Sequence, residues 1–218
     1  MNGHFEAALS QLPALPNGVT VQPFSAGLVA KEHADRIAKL FGTIADAENE
    51  PFVALNTGYA GEGAYIHVAK KVQSALTVHL LFVAAPGAAG TVTHPRNLIV
   101  VDEGARATVV EQYIGLDDGA YFVNPVTEVV VGPNAELTHY KVQREGLGAW
   151  HVGAIAARQD RDARFHNFSA AIGAAIGRTD IRSVFAGPGG EATLNGMYLV
   201  DGDQLIDHHQ LFGVDVGL

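Results

Sequence analysis

The stretch ARATVVEQY at residues 105–113 is one of five related segments that recur along the chain. Each segment opens on an alanine and then alternates in polarity with a period of two residues. The steps between successive alanines are 30, 30, 28 and 29 residues. The other four segments are ALTVHLL at 75–81, AELTHYKVQ at 135–143, ARFHNFSA at 163–170 and ATLNGMYL at 192–199. A nearly fixed period of this size is typical of a solenoid, in which each repeat stacks on the one before it.

The composition of these repeats favours strands over helices. The segments are rich in β-forming residues, and corners such as DEG, GPN and QDRD join them. No pattern of 10–12 residues with helical spacing separates one segment from the next. Crossovers between parallel strands are right-handed in nearly all proteins. The sequence therefore predicts a mainly β fold, a right-handed parallel β-helix of about five coils with a short N-terminal helical segment.

Two regions are predicted along the chain. Residues 1–50 are expected to form an N-terminal helical or capping segment, because apolar residues recur at helical spacing between Leu28 and Ala47. We expect this helix to pack across one end of the solenoid and to shield its strand edge. Residues 51–218 form the predicted β-helix core. The next repeat alanine would fall beyond Leu218, so we expect this core to be truncated at its C-terminal end: either a partner covers that end or the sequence is a piece of a longer protein.

Composition and missing motifs exclude several classes of protein. The formal net charge of −9 argues against a nucleic-acid surface, and the absence of cysteine excludes disulfides and thiolate chemistry. The sequence shows neither a signal peptide nor a membrane span, so we expect a soluble, cytoplasmic protein. The P-loop, H-E-x-x-H, G-x-S-x-G and C-x-x-C motifs are all missing. The sequence therefore predicts a protein that is not an enzyme and has no active site of its own.

The repeat register predicts which residues stack on neighbouring coils, about 4.8 Å apart. One predicted column is His79, Val109, His139, Asn167 and Gly196, and the column before it is Val78, Thr108, Thr138, His166 and Asn195. Stacked Thr, Asn and His residues indicate a hydrogen-bonded ladder, with functional histidines as the alternative. The apolar residues also change phase within a segment, for example from Leu137 to Tyr140 and Val142. This change predicts a corner or a bulge in each coil.

Acidic residues in the predicted strands suggest one alternative function. Glu111 aligns with Lys141 on the next coil, which predicts an ion pair between coils. Glu145 follows the predicted strand that contains Lys141. Glu111 and Glu128 are the pair best suited to a β-helix enzyme acting on a polysaccharide, which would need both carboxylates to face one cleft.

The second half of the chain carries arginines that form either a solvated face or a basic surface for an acidic partner: Arg158, Arg161, Arg164, Arg178 and Arg182.

Histidines suggest another alternative, a metal-binding β-helix protein. His208 and His209 are adjacent, and successive strand residues point to opposite faces, so a straight strand does not offer both to one metal. His139 and His166 are further candidate ligands, although the register places them on opposite faces. The remaining two predictions for histidines are structural: His94 at a corner before Pro95, and His151 against the indole of Trp150.

Four long strings of the sequence carry a resemblance to a known family. They are FVALNTGYAGEGAYIHV at 52–68, HPRNLIVVDEGARATVVEQYIG at 94–115, YFVNPVTEVVVGPNAELTHYKVQREG at 121–146 and RTDIRSVFAGPGGEATLNGMYLVDGDQLIDHH at 178–209. Two motifs within them are the most specific: H-Y-K-x-Q, with His139, Tyr140, Lys141 and Gln143, and D-x-x-x-D-H-H, with Asp203, Asp207, His208 and His209. These strings closely resemble the core of the SufB/SufD scaffold family, which belongs to the SUF system of iron–sulfur cluster assembly. The resemblance covers roughly residues 52–210.

Within that family, the sequence is more similar to SufD than to SufB, on the string at 121–145 and on the absence of cysteine. The resemblance implies a non-catalytic scaffold subunit, a SufD-like core-domain fragment that pairs with a SufB-type subunit. A homodimer is the open alternative to this heterodimer. In the full-length parent the resemblance also implies binding to a SufC-type ATPase, through a C-terminal helical region that this sequence does not contain. It implies no tightly bound cofactor, a transient iron–sulfur cluster at the level of the complex, and ATP use only through the partner ATPase. Neither nucleic acid nor a membrane is an expected partner.

Overall fold

The computed structural model describes residues 1–215 and shows a parallel β-solenoid of about five coils. The helices are α1 (Phe24–Val29), α2 (Lys31–Leu40) and α3 (Pro51–Tyr59), with one short 3-10 turn at Ala7–Leu9. The strands are β1 (Val19–Pro23), β2 (Ala64–Val68), β3 (Gln73–Ala84), β4 (Val92–Thr93), β5 (Arg96–Val101), β6 (Arg106–Gly115), β7 (Phe122–Val123), β8 (Val126–Val131), β9 (Glu136–Glu145), β10 (Trp150–Gln159), β11 (Arg164–Gly173), β12 (Ile176–Phe185), β13 (Glu191–Leu199) and β14 (Leu205–Val214). The mainly β solenoid predicted from the repeat is confirmed.

Two sheets enclose an interior that we call the lumen. Sheet 1 has the order β1-β2-β5-β8-β10-β12-β14, with the short strands β4 and β7 beside this path. Sheet 2 has the order β13-β11-β9-β6-β3. The strand pairs are parallel except β1 with β2, which is antiparallel. Each coil therefore contributes one strand to each sheet, and the chain passes between the sheets at tight corners.

The corners explain why a small residue opens the central repeats. Ala105, Ala135 and Ala163 are each at most 1% exposed, and the amide of each donates to the carbonyl three residues earlier. The residue before each alanine adopts a positive φ: Gly104 at 67°, Asn134 at 55° and Asp162 at 57°. Gly, Asn and Asp adopt this left-handed conformation more readily than other residues do. The turn then points a side chain into the tight inner corner, where only a small residue fits.

The register confirms the centre of each predicted column and corrects its ends. Val109, His139 and Asn167 do align on successive coils. His79, however, aligns with Val110, and Val78 with Val109, because a bulge interrupts the β3–β6 pairing between Gln73 and Thr77. At the other end Gly196 aligns with Ser169, and Asn195 with Phe168. Gly190 follows Gly189, whose φ of 74° turns the corner, and takes the place of the repeat alanine there.

The sequence predicted a helix across one end of the solenoid. The helices instead cover the outer face of sheet 1. Phe24 and Ile37 pack against Tyr65, Leu98 and Val100, which point away from the lumen. All six residues of β5 are therefore buried, since both faces of the strand are covered. The N-terminal end of the solenoid is instead flanked by β1, which pairs with β2, and by residues 1–15.

The segment from residue 51 also differs from its prediction as the entry into the β core, because it forms α3. Pro51 occupies the first turn of this helix, where a proline is well tolerated. Val53 packs against Val126 and Ala156 on the outer face of sheet 1. Within residues 1–215, no helix combines the length and the apolar character that crossing a membrane requires.

Candidate functional site: the polar lumen and the last coil

The lumen changes from apolar to polar along each strand of sheet 2. In β9 the buried positions are every second residue, from Leu137 to Glu145, without interruption. The predicted bulge within each coil is therefore wrong for β9, since the same face stays inside throughout. What changes is the chemistry of the inward residues, which become His139, Lys141 and Gln143. Hydrogen bonds between coils make this polar interior possible.

Glu111 is the centre of the first part of this polar network. Its Oε2 atom accepts a hydrogen bond from Thr127 Oγ1 at 2.8 Å and lies 3.1 Å from His139 Nε2. Its Oε1 atom accepts a hydrogen bond from the hydroxyl of Tyr113. Burial alone would raise the pKa of Glu111, but the contact with His139 and the two hydroxyl donors outweigh it and lower that pKa to about 2. Glu111 is therefore a buried carboxylate with a full set of partners.

His139 continues the network to the next coil. Its Nδ1 atom lies 2.9 Å from Asn167 Nδ2, and Ser169 Oγ donates to Asn167 Oδ1 at 3.0 Å. The polar ladder predicted from the stacked columns is thus confirmed between His139 and Asn167. Because His139 uses both ring nitrogens in these contacts, it is held as a structural element of the lumen.

Lys141 occupies the lumen without the predicted direct ion pair to Glu111. The two residues do align on neighbouring coils, but Lys141 Nζ donates to Thr179 Oγ1 at 2.7 Å. The ammonium also lies 5.7 Å from the centre of the Tyr113 ring. Burial lowers the pKa of Lys141 to about 8, although Glu111 and Glu145 act in the opposite direction. The carboxylates therefore support the lysine through the field in the lumen, and the Thr179 hydroxyl orients it.

Glu145 and His151 form a second buried acid–histidine pair. His151 Nδ1 lies 2.8 Å from Glu145 Oε2, but the two groups are poorly aligned for a hydrogen bond, and neither atom has another hydrogen-bond partner. Burial and the nearby charge of Lys141 lower the pKa of His151, which favours the neutral ring. The prediction that His151 lies against Trp150 is wrong, because successive strand residues face opposite sides. Trp150 is 53% exposed, whereas His151 packs edge-on against Tyr113 inside the lumen.

The D-x-x-x-D-H-H motif is divided between the two faces of the last coil. His208 faces the lumen and aligns with Thr179, which accepts a hydrogen bond from Lys141 of the H-Y-K-x-Q motif. Partial burial and the charge of Lys141 lower the pKa of His208. His209 lies on the outer face, with Nε2 3.1 Å from Asp207 Oδ1, and Asp203 is exposed in the preceding turn. Gln143 faces the lumen as well, whereas Tyr140 is 40% exposed on the outside.

This division bears on the metal hypothesis. His208 and His209 point to opposite faces, and His139 is engaged by Glu111 and Asn167. Among residues 1–215, no three His, Asp or Glu side chains lie together in an arrangement that could hold a metal ion. The described part of the chain therefore offers no ready-made ligand set to a metal.

The carboxylate pair of the polysaccharide hypothesis is separated by the wall of the solenoid. Glu111 faces the lumen, whereas Glu128 lies on the outer face of sheet 1 beneath the helical layer. Glu128 forms a buried ion pair with Arg96 at 2.6 Å and accepts hydrogen bonds from the amides of Ile44 and Ala45. Both glutamates are at most 1% exposed. They do not face one cleft, so this pair cannot act on a glycosidic bond.

The predicted basic band is neutralised locally. Each of its five arginines has a carboxylate within 4 Å: Arg158 with Asp160, Arg161 with Asp162, Arg164 with Glu191, Arg178 with Asp180 and Arg182 with Asp46.

His94, predicted at a corner, lies 3.0 Å from Asn124 Oδ1 and stacks on Tyr59.

The last coil leaves strand edges and apolar side chains uncovered in the described chain. β13 and β14 are the final strands of the two sheets. Large apolar side chains on them are between 49% and 70% exposed: Met197, Tyr198, Leu199, Leu205, Leu211, Phe212 and Val214. An uncovered strand edge with apolar neighbours is a typical site for pairing with further chain or with a partner.

Two features of the site were missed from the sequence. The Arg96–Glu128 pair lies in strands that read as apolar runs, and only the helical layer above them explains a buried charge there. The pairing of Glu145 with His151 was also missed, because no pattern in the sequence places the end of β9 against the start of β10 across the lumen. A polar residue at every second position of β9 was the available signal.

Comparison with known protein families matches two adjoining models. Residues 82–215 match the model described as SUF system FeS cluster assembly, SufBD core domain, and residues 1–80 match the SufBD protein N-terminal region. The boundary between the two models falls in β3.

Comparison with individual proteins finds relatives in bacteria and plants. The chain is 25% identical to an iron–sulfur cluster assembly SufBD family protein of Synechocystis, over 99% of the chain and 49% of that protein. It is 26% identical to the iron–sulfur cluster assembly protein SufD of Escherichia coli, over 72% of the chain and 38% of that protein. It is also 30% identical to the chloroplastic protein ABCI7 of Arabidopsis thaliana, over 57% of the chain and 26% of that protein. The chain thus spans about half the length, or less, of these relatives.

Proposed function

Because this chain belongs to the SufB/SufD family, we propose that it serves as a non-catalytic, SufD-like scaffold subunit in the assembly of iron–sulfur clusters. Its partner would be a SufB-type subunit, and the full-length protein would also bind a SufC-type ATPase. An iron–sulfur cluster would be transient cargo of the complex, and ATP would be used only by the ATPase. The site of action would be the cytoplasm.

The two family matches, over residues 1–80 and 82–215, are the observation that carries this proposal. Within the described residues, β13 and β14 carry exposed apolar side chains, which we propose as the surface that contacts the partner. The polar lumen favours a scaffold over a catalyst. Glu111 is held by Tyr113, Thr127 and His139, Lys141 donates to Thr179, and both charged side chains lie away from solvent.

Pairing with purified SufB-type and SufC-type proteins tests the proposal, with Leu199→Lys as the test variant. Leu199 is 64% exposed on β13, so a charge there should weaken association with the SufB-type subunit by about tenfold. Leu81→Lys is the matched control, since Leu81 is 51% exposed on the first strand of the same sheet. This control should bind within about twofold of the unaltered chain.

The outcomes separate the proposal from its rivals. If neither the chain nor its full-length parent associates with the SufB-type subunit, the proposed role is wrong. Equal losses for both lysine variants would show that the last coil is not the contact. Sedimentation of the chain alone measures the competing homodimer; a dimer that excludes the SufB-type subunit would also contradict the proposal.

A further inference from the structure

A cavity of about 680 Å³ opens at the N-terminal end of the solenoid, opposite to the last coil. Its lining comes from three successive strands of sheet 2: the inward side chains of β3, Tyr113 of β6 and Glu145 at the end of β9. Residues 1–15 border its mouth. The cavity therefore reaches from the surface into the polar part of the lumen, and its volume suits a small molecule.

Most of the cavity wall is apolar. Val78, Leu80 and Phe82 line it from β3, and Val123 lines it from the corner of sheet 1. Phe82 stacks in parallel on Tyr113, with ring centres 4.7 Å apart, so two neighbouring coils each contribute an aromatic ring to the wall. Such a wall gains free energy by removing apolar ligand surface from water.

The N-terminal segment lies over the mouth as a tethered strap. The amide of Asn2 donates to the carbonyl of Val83 at 2.9 Å, and its side-chain oxygen accepts from the amide of Ala85 at 2.9 Å. Leu9 and Leu12 border the cavity yet are 70% and 55% exposed. The strap is thus fixed at its first residues, while its apolar side chains leave room for another apolar group.

The inner end of the cavity carries a carboxylate that lacks a well-aligned donor. The Glu145 side chain is 2% exposed, and its Oε2 atom makes no hydrogen bond, although His151 Nδ1 is 2.8 Å away. Glu111, one coil earlier, shows what a satisfied carboxylate in this lumen looks like, with contacts to Tyr113, Thr127 and His139. A buried carboxylate without such donors is costly, and a donor brought by a ligand would remove that cost.

We propose that this cavity binds an elongated, mainly apolar small molecule whose amine or ammonium end is received by Glu145. The apolar body lies between Leu80, Phe82 and Val123, and the cationic end donates to the Glu145 carboxylate, whose Oε2 atom has only the poorly aligned His151 beside it. Such a pair is favourable because a hydrogen bond to an ionised carboxylate is stronger than one between neutral groups. This proposal does not depend on the SUF role, since it concerns the opposite end of the solenoid.

Calorimetry with three 12-carbon probes tests the head group. Dodecylamine should bind the unaltered chain about tenfold more tightly than dodecanol, and dodecanoate should bind more weakly than either. All three are used at concentrations below those at which they form micelles. Equal affinities for the amine and the carboxylate would overturn the assignment of the head group, and no binding of any probe would overturn the site.

Substitution of Glu145 locates the contact. Glu145→Gln should weaken dodecylamine binding by about tenfold and change dodecanol binding by less than about twofold. Glu136→Gln is the matched control, because Glu136 belongs to the same strand but faces outward beside Arg106. Any general attraction of the amine to this acidic chain would respond to both variants alike, and that result would contradict the proposal.

A blocking variant gives a readout that does not depend on the charge. Leu80→Trp should fill the cavity and reduce the binding of both dodecylamine and dodecanol by at least about tenfold. Val110→Trp is the control on the outer face of β6, away from the cavity lining. Circular dichroism and urea unfolding confirm that each variant is folded before binding is measured. Unchanged binding in a folded Leu80→Trp variant would place the ligand elsewhere.

Discussion

The two sheets of the solenoid share one lumen but differ on their outer faces. In sheet 1 the outward residues Leu98 and Val100 lie under α1 and α2 and are at most 3% exposed. In sheet 2 the outward residues Tyr140, Phe168 and Met197 are 40%, 36% and 49% exposed, and no helix of residues 1–215 covers them. Apolar side chains thus point outward from both sheets, and only the helical layer determines whether they are buried. An apolar position in this fold therefore does not by itself identify an inward-facing residue.

In the lumen, conversely, a polar or charged side chain does not indicate an exposed position. Charged residues such as Glu111 and Lys141 are inside because neighbouring coils supply their hydrogen-bond partners. On the outer face of sheet 1, beneath the helices, Arg96 and Glu128 form a buried ion pair, which we call the clamp. Four predictions test how much each of these regions contributes to stability.

The largest effect is expected from Arg96→Met, which removes one half of the buried clamp. Glu128 would keep its backbone donors but lose its counter-charge, and breaking a buried pair in this way costs about 3–5 kcal/mol. Urea unfolding measures the loss. Arg106→Met is the control on the uncovered sheet, where Arg106 is 61% exposed and 3.5 Å from Glu136, and it should cost less than about 1 kcal/mol. Similar losses for both variants would remove the distinction between the sheets.

The next effect concerns acid. The pKa of Glu111 is about 2 in the folded protein and 4.5 ordinarily, so the unfolded chain binds the proton first as pH falls. Its contribution to stability is fully present above pH 4.5 and is lost between pH 4.5 and 2, a loss of about 3 kcal/mol. Glu111→Gln should flatten the unfolding free energy over this range, while Glu136→Gln should not. If the unfolding free energy of Glu111→Gln falls between pH 4.5 and 2 as steeply as that of the unaltered chain, this carboxylate does not control acid stability.

A smaller effect, an increase in stability as pH rises, is expected from Lys141 at alkaline pH. Its folded pKa of about 8 lies below the ordinary 10.5, so between these values the unfolded chain binds more protons and stability rises with pH. From pH 8 to 10 this group adds about 2 kcal/mol. The raised pKa values of Tyr113 and Tyr121 oppose the rise only above about pH 10. Lys141→Met should abolish the slope; a variant that keeps it would assign the slope to another group.

The smallest effect is expected on the uncovered face of sheet 2. Phe168→Ala should lower the unfolding free energy by only about 1–2 kcal/mol, because the side chain is already 36% exposed. Phe165→Ala, on the same strand but fully buried in the lumen, should cost about 3–5 kcal/mol. Equal losses at the two positions would mean that the outer face is covered in solution, for example by a second copy.

The repeat was sufficient to predict the solenoid and the central register. A step of 28–30 residues, small residues after the corners and alternating strands leave few other ways to pair the segments. For the same reason the alignments of His139 with Asn167 and of Glu111 with Lys141 could be predicted from the sequence alone. Where the repeat itself is irregular, at Gln73–Thr77 and at Gly190, the predicted alignment was displaced.

Tertiary structure alone decided what those aligned residues do. The sequence determined the period, the strands and, within an uninterrupted strand, which residues share a face, because side-chain direction alternates along a strand. It did not determine which side is buried, since that depends on helices folding back over sheet 1 and on hydrogen bonds across the lumen. Lys141 therefore pairs with Thr179 rather than with its aligned neighbour Glu111, and Glu145 meets His151 across the lumen. Burial is a property of the assembled coils, and no single repeat carries it.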